Sequence, residues 1–283
     1  MRFSRILSTP KTRLVLLAPA KCNVPLAFRE ARSDHGQHER LLHEMQQLRG
    51  SVYLSDGAVE RWHLTKDGRH RSPEDYDSWH LLAIDEAGRI IGCSRYLHCE
   101  NTISYSELGL QYTISAQTVE WERQLQVGVE SELNTARLRD LAYVKVGGWA
   151  LNETIRNTAE GLSIALATWG LAQLLGGCLG IATVTRRHSS SSILRKLGGS
   201  SLEINGVPLP PYYDPQYKCE MEIIRFDSRV PNPRYREWVD QIRLSLLSTP
   251  VICGNAESDL WNDIKATIAI AHRGDHAPAL VGG

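Results

Sequence analysis

Arg156-Asn157-Thr158-Ala159-Glu160-Gly161 is the hexapeptide whose residue types bear most directly on chemistry. Small residues at Ala159 and Gly161 would let an anion approach backbone N–H groups, and the helix that follows would add its unsatisfied donors and positive dipole end. The segment therefore reads either as an ordinary helix start or as a grip for a pyrophosphate. A second cluster, Arg186, Arg187, Arg195 and Lys196, flanks a serine run and His188. These cations would suit phosphates or an acidic partner, or form a solvated face. His188 beside serines invites a nucleophile reading, but neighbouring positions at a helix start give no triad geometry, and the serines read as helix caps. Six scattered cysteines form no CxxC pair and no metal-ligand spacing with histidine. Reduced thiols and no metal are expected.

The elements that must position these residues follow from periodicity. Leu14 to Ala18 reads as a first strand, too short for a signal-peptide core. Leu41, Leu42, Met45 and Leu48 predict an amphipathic helix running to about Arg49. A polar stretch, "TKDGRHRSPEDYDS", predicts an exposed loop, and "WHLLAIDEAGRIIGCSRYL" two strands joined at Glu86 to Gly88. A helix is expected around "TVEWERQL". "LAYVKVGGWAL" predicts a strand with a bulge or close backbone approach at its two glycines. "TAEGLSIALATWGLAQLLGG" has a threonine suited to an N-cap, apolar residues on nearly all sides and a Gly-Gly stop, so it predicts a helix buried against a sheet. A buried strand "CLGIATVT", a short helix "SSSSILRKLGG", a proline-rich loop and a strand "KCEMEIIRFD" complete the pattern. After Asp227 two helices, in "NPRYREWVDQIRLSLLSTP" and "AESDLWNDIKATIAIAHR", are expected outside this core, which suggests a division into 1–228 and a helical extension 229–283.

The order strand, glycine-bearing turn, long helix, strand, short helix, loop, strand resembles the GNAT acyltransferase superfamily. Within it, "AEGLSIALATWGLAQLLGGCLGIATVTRRHSSSSILRKLGG" and "EDYDSWHLLAIDEAGRIIGCSRYL" resemble the branch of acyl-homoserine-lactone synthases and N-acyl amino acid synthases. The similarity runs from about Leu42 to Asp227. It implies an α/β (α+β) fold, a mixed, splayed sheet flanked by helices. It also implies that Arg156, Ala159 and Gly161 belong to the loop that holds the pantetheine phosphates, with Arg187 at the donor mouth. Arg95 would stand in the amine pocket, Glu74 and Asp77 would be the paired acids of its loop, Arg49 would be a substrate-side arginine, and Thr183 would line the acyl pocket. An arginine and two acids can clamp a zwitterionic acceptor whose amine must be held and deprotonated. Where the sheet splays, a backbone N–H near Trp149 to Leu151 would polarise a thioester carbonyl.

One departure stands out. The lactone-synthase branch carries a glutamate on the strand before the loop and an arginine three residues on; here those places hold Lys145 and Gly148. A base could come from Glu153, Asp77 or a water chain, or the amine could arrive already neutral. The short helix has no tyrosine to act as general acid, so Tyr212, Tyr213 and Tyr217 are the alternatives.

The chain has 283 residues, with 32 lysines and arginines against 32 aspartates and glutamates. That balance does not indicate a nucleic-acid surface. The expectation is a cytoplasmic N-acyltransferase without a membrane span or a permanently bound cofactor. It would use acyl-CoA or an acyl-carrier protein (ACP) as medium- or long-chain donor and a small amine or amino acid as acceptor. Alternatives are an autoinducer lactone synthase, weakened by Lys145 and Gly148, and a catalytically silent thioester-binding module.

Overall fold

The computed structural model describes residues 12–20, 23–110, 118–187 and 190–254. Its strands are β1 Thr12–Leu17, β2 Ala31–Ser33, β3 Trp79–Asp85, β4 Ile90–Cys99, β5 Ala142–Leu151, β6 Cys178–Thr185, β7 Ser200–Ser201, β8 Glu203–Ile204, β9 Val207–Pro208, β10 Tyr212–Asp214, β11 Cys219–Asp227 and β12 Val251–Cys253. The helices are α1 His35–Ser55, α2 Val119–Leu138, α3 Ala159–Leu174, α4 Ser190–Leu197 and α5 Arg236–Leu246. One mixed sheet runs β10-β11-β6-β5-β4-β3-β1-β12-β2, with β7 also on β11, while β8 and β9 form a separate ribbon.

Alternation along the strands distributes side chains to two faces. Val15 and Leu17 of β1 pack with Leu41, Leu42 and Met45 of α1, whereas Leu16 joins α3 on the opposite face. Likewise Tyr143 of β5 meets α2, and Val144 meets α3. α3 is apolar all round because it is covered twice, by the sheet and by α5, whose Val239, Ile242 and Leu246 share its core. Its expected threonine cap and glycine stop are present: Thr158 accepts from the Gly161 N–H, and Gly176 and Gly177 take positive φ.

The segment after Asp227 departs from expectation. α5 packs on α3, and β12 enters the sheet between β1 and β2 through parallel pairing at Leu17↔Ile252 and Ile252↔Arg32. Residues up to 254 are therefore part of the core layers, which does not favour a boundary at 228/229. β12 escapes a periodicity reading because three residues carry too little pattern. The second expected C-terminal helix lies outside the described residues, as do His188 and Cys22. α1 extends to Ser55, one and a half turns past Arg49, which brings Asp56 to the mouth of the site described next.

Candidate functional site

β5 and β6 pair in parallel from Ala142↔Cys178 to Val146↔Ala182, and the ladder ends there. Beyond that point β5 follows β4, and β6 follows β11 as far as Met221↔Thr185. The two halves of the sheet part in a V. Its cause is local: Arg95 pairs with Gly147 and Cys93 with Ala150, so Gly148 and Trp149 stand opposite Ser94 alone. Such a bulge bends and twists the strand that carries it. Gly148 has φ +61, and a Cβ there would meet Arg95 Cβ at 3.1 Å and Arg49 Nη1 at 3.2 Å. Glycine is the residue that fits both demands.

The turn from Asn152 to Thr158 leads from β5 into α3, whose N-terminus opens beside the V. The hexapeptide spans the end of this turn and the first turn of α3, and its parts have local duties. Gly161 is small because its Cβ position lies 2.7 Å from Ile155 O and 2.9 Å from a methyl of Leu151. Arg156 is paired with Asp56, Nη1 to Oδ1 at 2.8 Å and Nη2 to Oδ2 at 3.3 Å. Arg187 donates to the Asp56 carbonyl at 2.9 Å and to the Lys218 carbonyl at 2.9 Å. Ala159 begins α3. Trp149 and Leu151 are partly buried on β5, and the Trp149 indole N–H is buried with no hydrogen-bond partner among the described residues.

A polar constellation occupies the α1 side of the bulge. Arg49 is 1 % exposed and grips Asp75 with both Nη atoms, at 3.0 Å to Oδ1 and 2.6 Å to Oδ2. Its Nε and Nη2 also donate to the His70 carbonyl, at 3.1 and 2.6 Å. Burial alone would raise the Asp75 carboxyl, yet the bonds and charge of Arg49 outweigh it and hold the group below its ordinary range. Arg95 Nη2 lies 2.6 Å from Glu74 Oε2 and Nη1 lies 3.8 Å from Asp75 Oδ1. Lys145 completes the set, paired with Glu74 and donating to the Leu108 carbonyl at 2.6 Å. Three cations thus share two carboxylates.

Several expected positions change. Asp77 is exposed, and the acid that joins Glu74 is Asp75, missed although Ser72-Pro73-Glu74-Asp75 is a capping box with Ser72 N–H donating to Asp75 Oδ2 at 2.9 Å. Ser/Thr-x-x-acid spacing could have found it. Glu153 is exposed in the turn after β5, outside this constellation. Arg49 is a brace for the acidic loop, fully occupied by Asp75 and His70. Thr183, one residue past the end of the β5–β6 ladder, is partly exposed at the V, near the buried Tyr212 hydroxyl. Tyr213 is 56 % exposed. Tyr217 is partly buried with its ring edge-on to Tyr53 at 6.4 Å, and desolvation and Asp214 raise its phenol while Arg95 and Arg49 pull the other way. A protonated Tyr217 thus stands within electrostatic reach of both arginines.

His70 and His80 are pushed down to about 4, first by burial and further by Arg49, against the pull of Asp75. His80 Nε2 donates to the Asp75 carbonyl at 2.7 Å, so the ring is neutral near pH 7 and fixes the loop. The basic cluster divides: Arg186, Arg195 and Lys196 line a cleft of about 610 Å³ with Ser191, Ser192 and Glu222, whereas Arg187 turns to Asp56. Arg186 pairs with Glu220 and Arg195 with Glu222, which offsets part of that charge. Among the described residues, Cys93, Cys99, Cys178, Cys219 and Cys253 form no disulfide, no metal-holding cluster occurs, and no helix is long and apolar enough to cross a membrane.

No protein-family model and no curated protein sequence matches the chain. Among solved structures, it is similar to the CoA-dependent acyl-homoserine-lactone synthase BjaI, with TM-score 0.50 and 13% identity over 85% of this chain and 92% of that one. Similarity extends to MesI, another CoA-dependent acyl-homoserine-lactone synthase, with TM-score 0.47 and 14% identity over 83% and 95% of the two chains. FeeM, an N-acyl amino acid synthase from uncultured soil microbes, gives TM-score 0.43 and 10% identity over 77% and 92%. The fold is GNAT-like and resembles that of the acyl-homoserine-lactone synthase branch.

Proposed function

We propose that the chain is an N-acyltransferase that moves a medium- or long-chain acyl group from an acyl-CoA or acyl-ACP thioester to the amine of a small amino-acid-like acceptor. The observation that carries this reading is the V: β5 and β6 part after Val146 and Ala182, with the capped start of α3 at the opening and a charged constellation on the α1 side. A thioester lying in the V would present its carbonyl to a backbone N–H of the bulged part of β5 near Trp149 to Leu151, an oxyanion site of preorganised donors. Arg95, Glu74 and Lys145 would orient the acceptor. The amine lone pair attacks the thioester carbonyl carbon, the nitrogen gives up its proton to water, and the C–S bond breaks as Tyr217 would donate its phenolic proton to the departing thiolate. No acyl-enzyme is required, because positioning the two reactants supplies much of the rate.

The lactone-forming alternative is weakened by Lys145, which neutralises Glu74 and puts a cation where that branch carries a carboxylate. The same pairing favours a second reading, a silent thioester binder without a free base. Purified protein incubated with acyl donors and a panel of amino acids, analysed by mass spectrometry, separates the two. Amide product and amine-dependent thiol release support transfer. Donor binding without product supports the silent module.

A further inference from the structure

Arg156 and Arg187, the two cations nearest the donor mouth, are both engaged by one residue that no sequence pattern singles out. Asp56 follows the last turn of α1. Its carboxylate takes both Nη atoms of Arg156 at 2.8 and 3.3 Å, and its carbonyl accepts from Arg187 at 2.9 Å. Arg156 follows β5 and Arg187 follows β6, so Asp56 bridges the two arms of the V. The chain then continues as a strap through a short helical turn, Arg61–His63. Glu60 pairs with Lys218 on the β10–β11 turn, and Arg187 also reaches the Tyr217 and Lys218 carbonyls at 3.3 and 2.9 Å. The strap thus crosses the opening and is tied to both sides. Its centre is anchored by buried Ala58 and Val59, whereas Trp62 is 73 % exposed.

A carboxylate held bidentately by a guanidinium occupies the geometry that a phosphate oxygen pair would take. We infer that Asp56 is an internal stand-in for the phosphate of a phosphopantetheine donor, and that donor binding exchanges it from Arg156 and loosens the strap at residues 56–65. The inference rests on the donor reading above. Arg156 and Asp56 side chains are 27 % and 18 % exposed, so the pair is a partly screened one that a doubly charged pyrophosphate can displace. An internal competitor of that strength lowers apparent donor affinity by about five-fold.

The test measures binding of coenzyme A, and of pantetheine without phosphate, to the wild-type chain and to Asp56→Asn and Asp56→Ser, with hydrogen exchange of residues 56–65. Both variants are expected to bind coenzyme A about five-fold more tightly with pantetheine affinity unchanged. Exchange in the strap should rise on adding coenzyme A to the wild type and start high in the variants. Equal or weaker coenzyme A binding by the variants overturns the inference, because Asp56 would then be orienting Arg156 for the donor. An equal gain for pantetheine overturns it too. If neither wild type nor variants bind coenzyme A, the donor reading falls as well.

Discussion

Replacing Asp75 by Asn tests whether the acidic loop is held by a buried ion pair. The side chains of Arg49 and Asp75 are 1 % and 0 % exposed. Asp75 accepts two bonds from Arg49, one from Gln46 Nε2 at 3.0 Å and one from Ser72 N–H at 2.9 Å. An asparagine of the same size must turn an NH2 toward one of these donors and leaves the guanidinium without a counter-charge. Breaking a buried pair from one side costs about 3–5 kcal/mol. In a chain of this size that lowers Tm by roughly 10 °C. Urea unfolding and thermal melts at pH 7 would compare wild type, Asp75→Asn and Asp77→Asn. The exposed Asp77 should stay within about 0.5 kcal/mol. Because an apolar pair can replace an ionic one, Arg49→Met combined with Asp75→Leu should cost less than the two single changes summed. A loss under about 1 kcal/mol for Asp75→Asn, or equal losses at 75 and 77, would refute the bracing role of Arg49.

Further outcomes follow from the same geometry. Gly148→Ala places a Cβ at φ +61 against Arg49 and Arg95 and should cost about 1–3 kcal/mol while lowering acyl-transfer kcat, read by denaturation and thiol release. His80 is held near 4 against an ordinary 6.5, so the folded state takes up its proton later than the unfolded chain. Its contribution is fully present above pH 6.5 and is lost as pH falls toward 4, about 3 kcal/mol across that window, and His80→Gln should flatten that part of the stability profile. Glu74→Gln leaves Lys145 and Arg95 without their shared carboxylate and should lower kcat/KM about 100-fold, with a smaller change in Tm than Asp75→Asn. An unchanged kcat/KM would remove Glu74 from the acceptor pocket.

Much of the fold was legible because its elements carry strong periodic patterns. α3, with Thr158 before it and Gly176-Gly177 after it, is readable from residue order, as is the β3–β4 hairpin that delivers Arg95. The glycines of β5 announced the bulge. Long-range choices were not legible. Lys145 and Glu74 are 71 residues apart, and Arg156 and Asp56 are 100 apart, so no spacing rule connects them. Asp77 and Asp75 both fit an acidic loop, and the capping turn decides which one faces inward. The burial of α5 depends on the second apolar face of α3, which the all-round apolar sequence implied without naming its partner.

The central claim is direct acyl transfer to an amine at the V between β5 and β6. It is tested most directly by incubating the purified chain with acyl-CoA or acyl-ACP and single amino acids while following free thiol and acylated product by mass spectrometry. The account predicts an N-acyl amide formed in step with thiol release, dependent on the amine and sharply reduced in Arg95→Ala. No acylated product with any donor and acceptor, or product undiminished by Arg95→Ala, would contradict it.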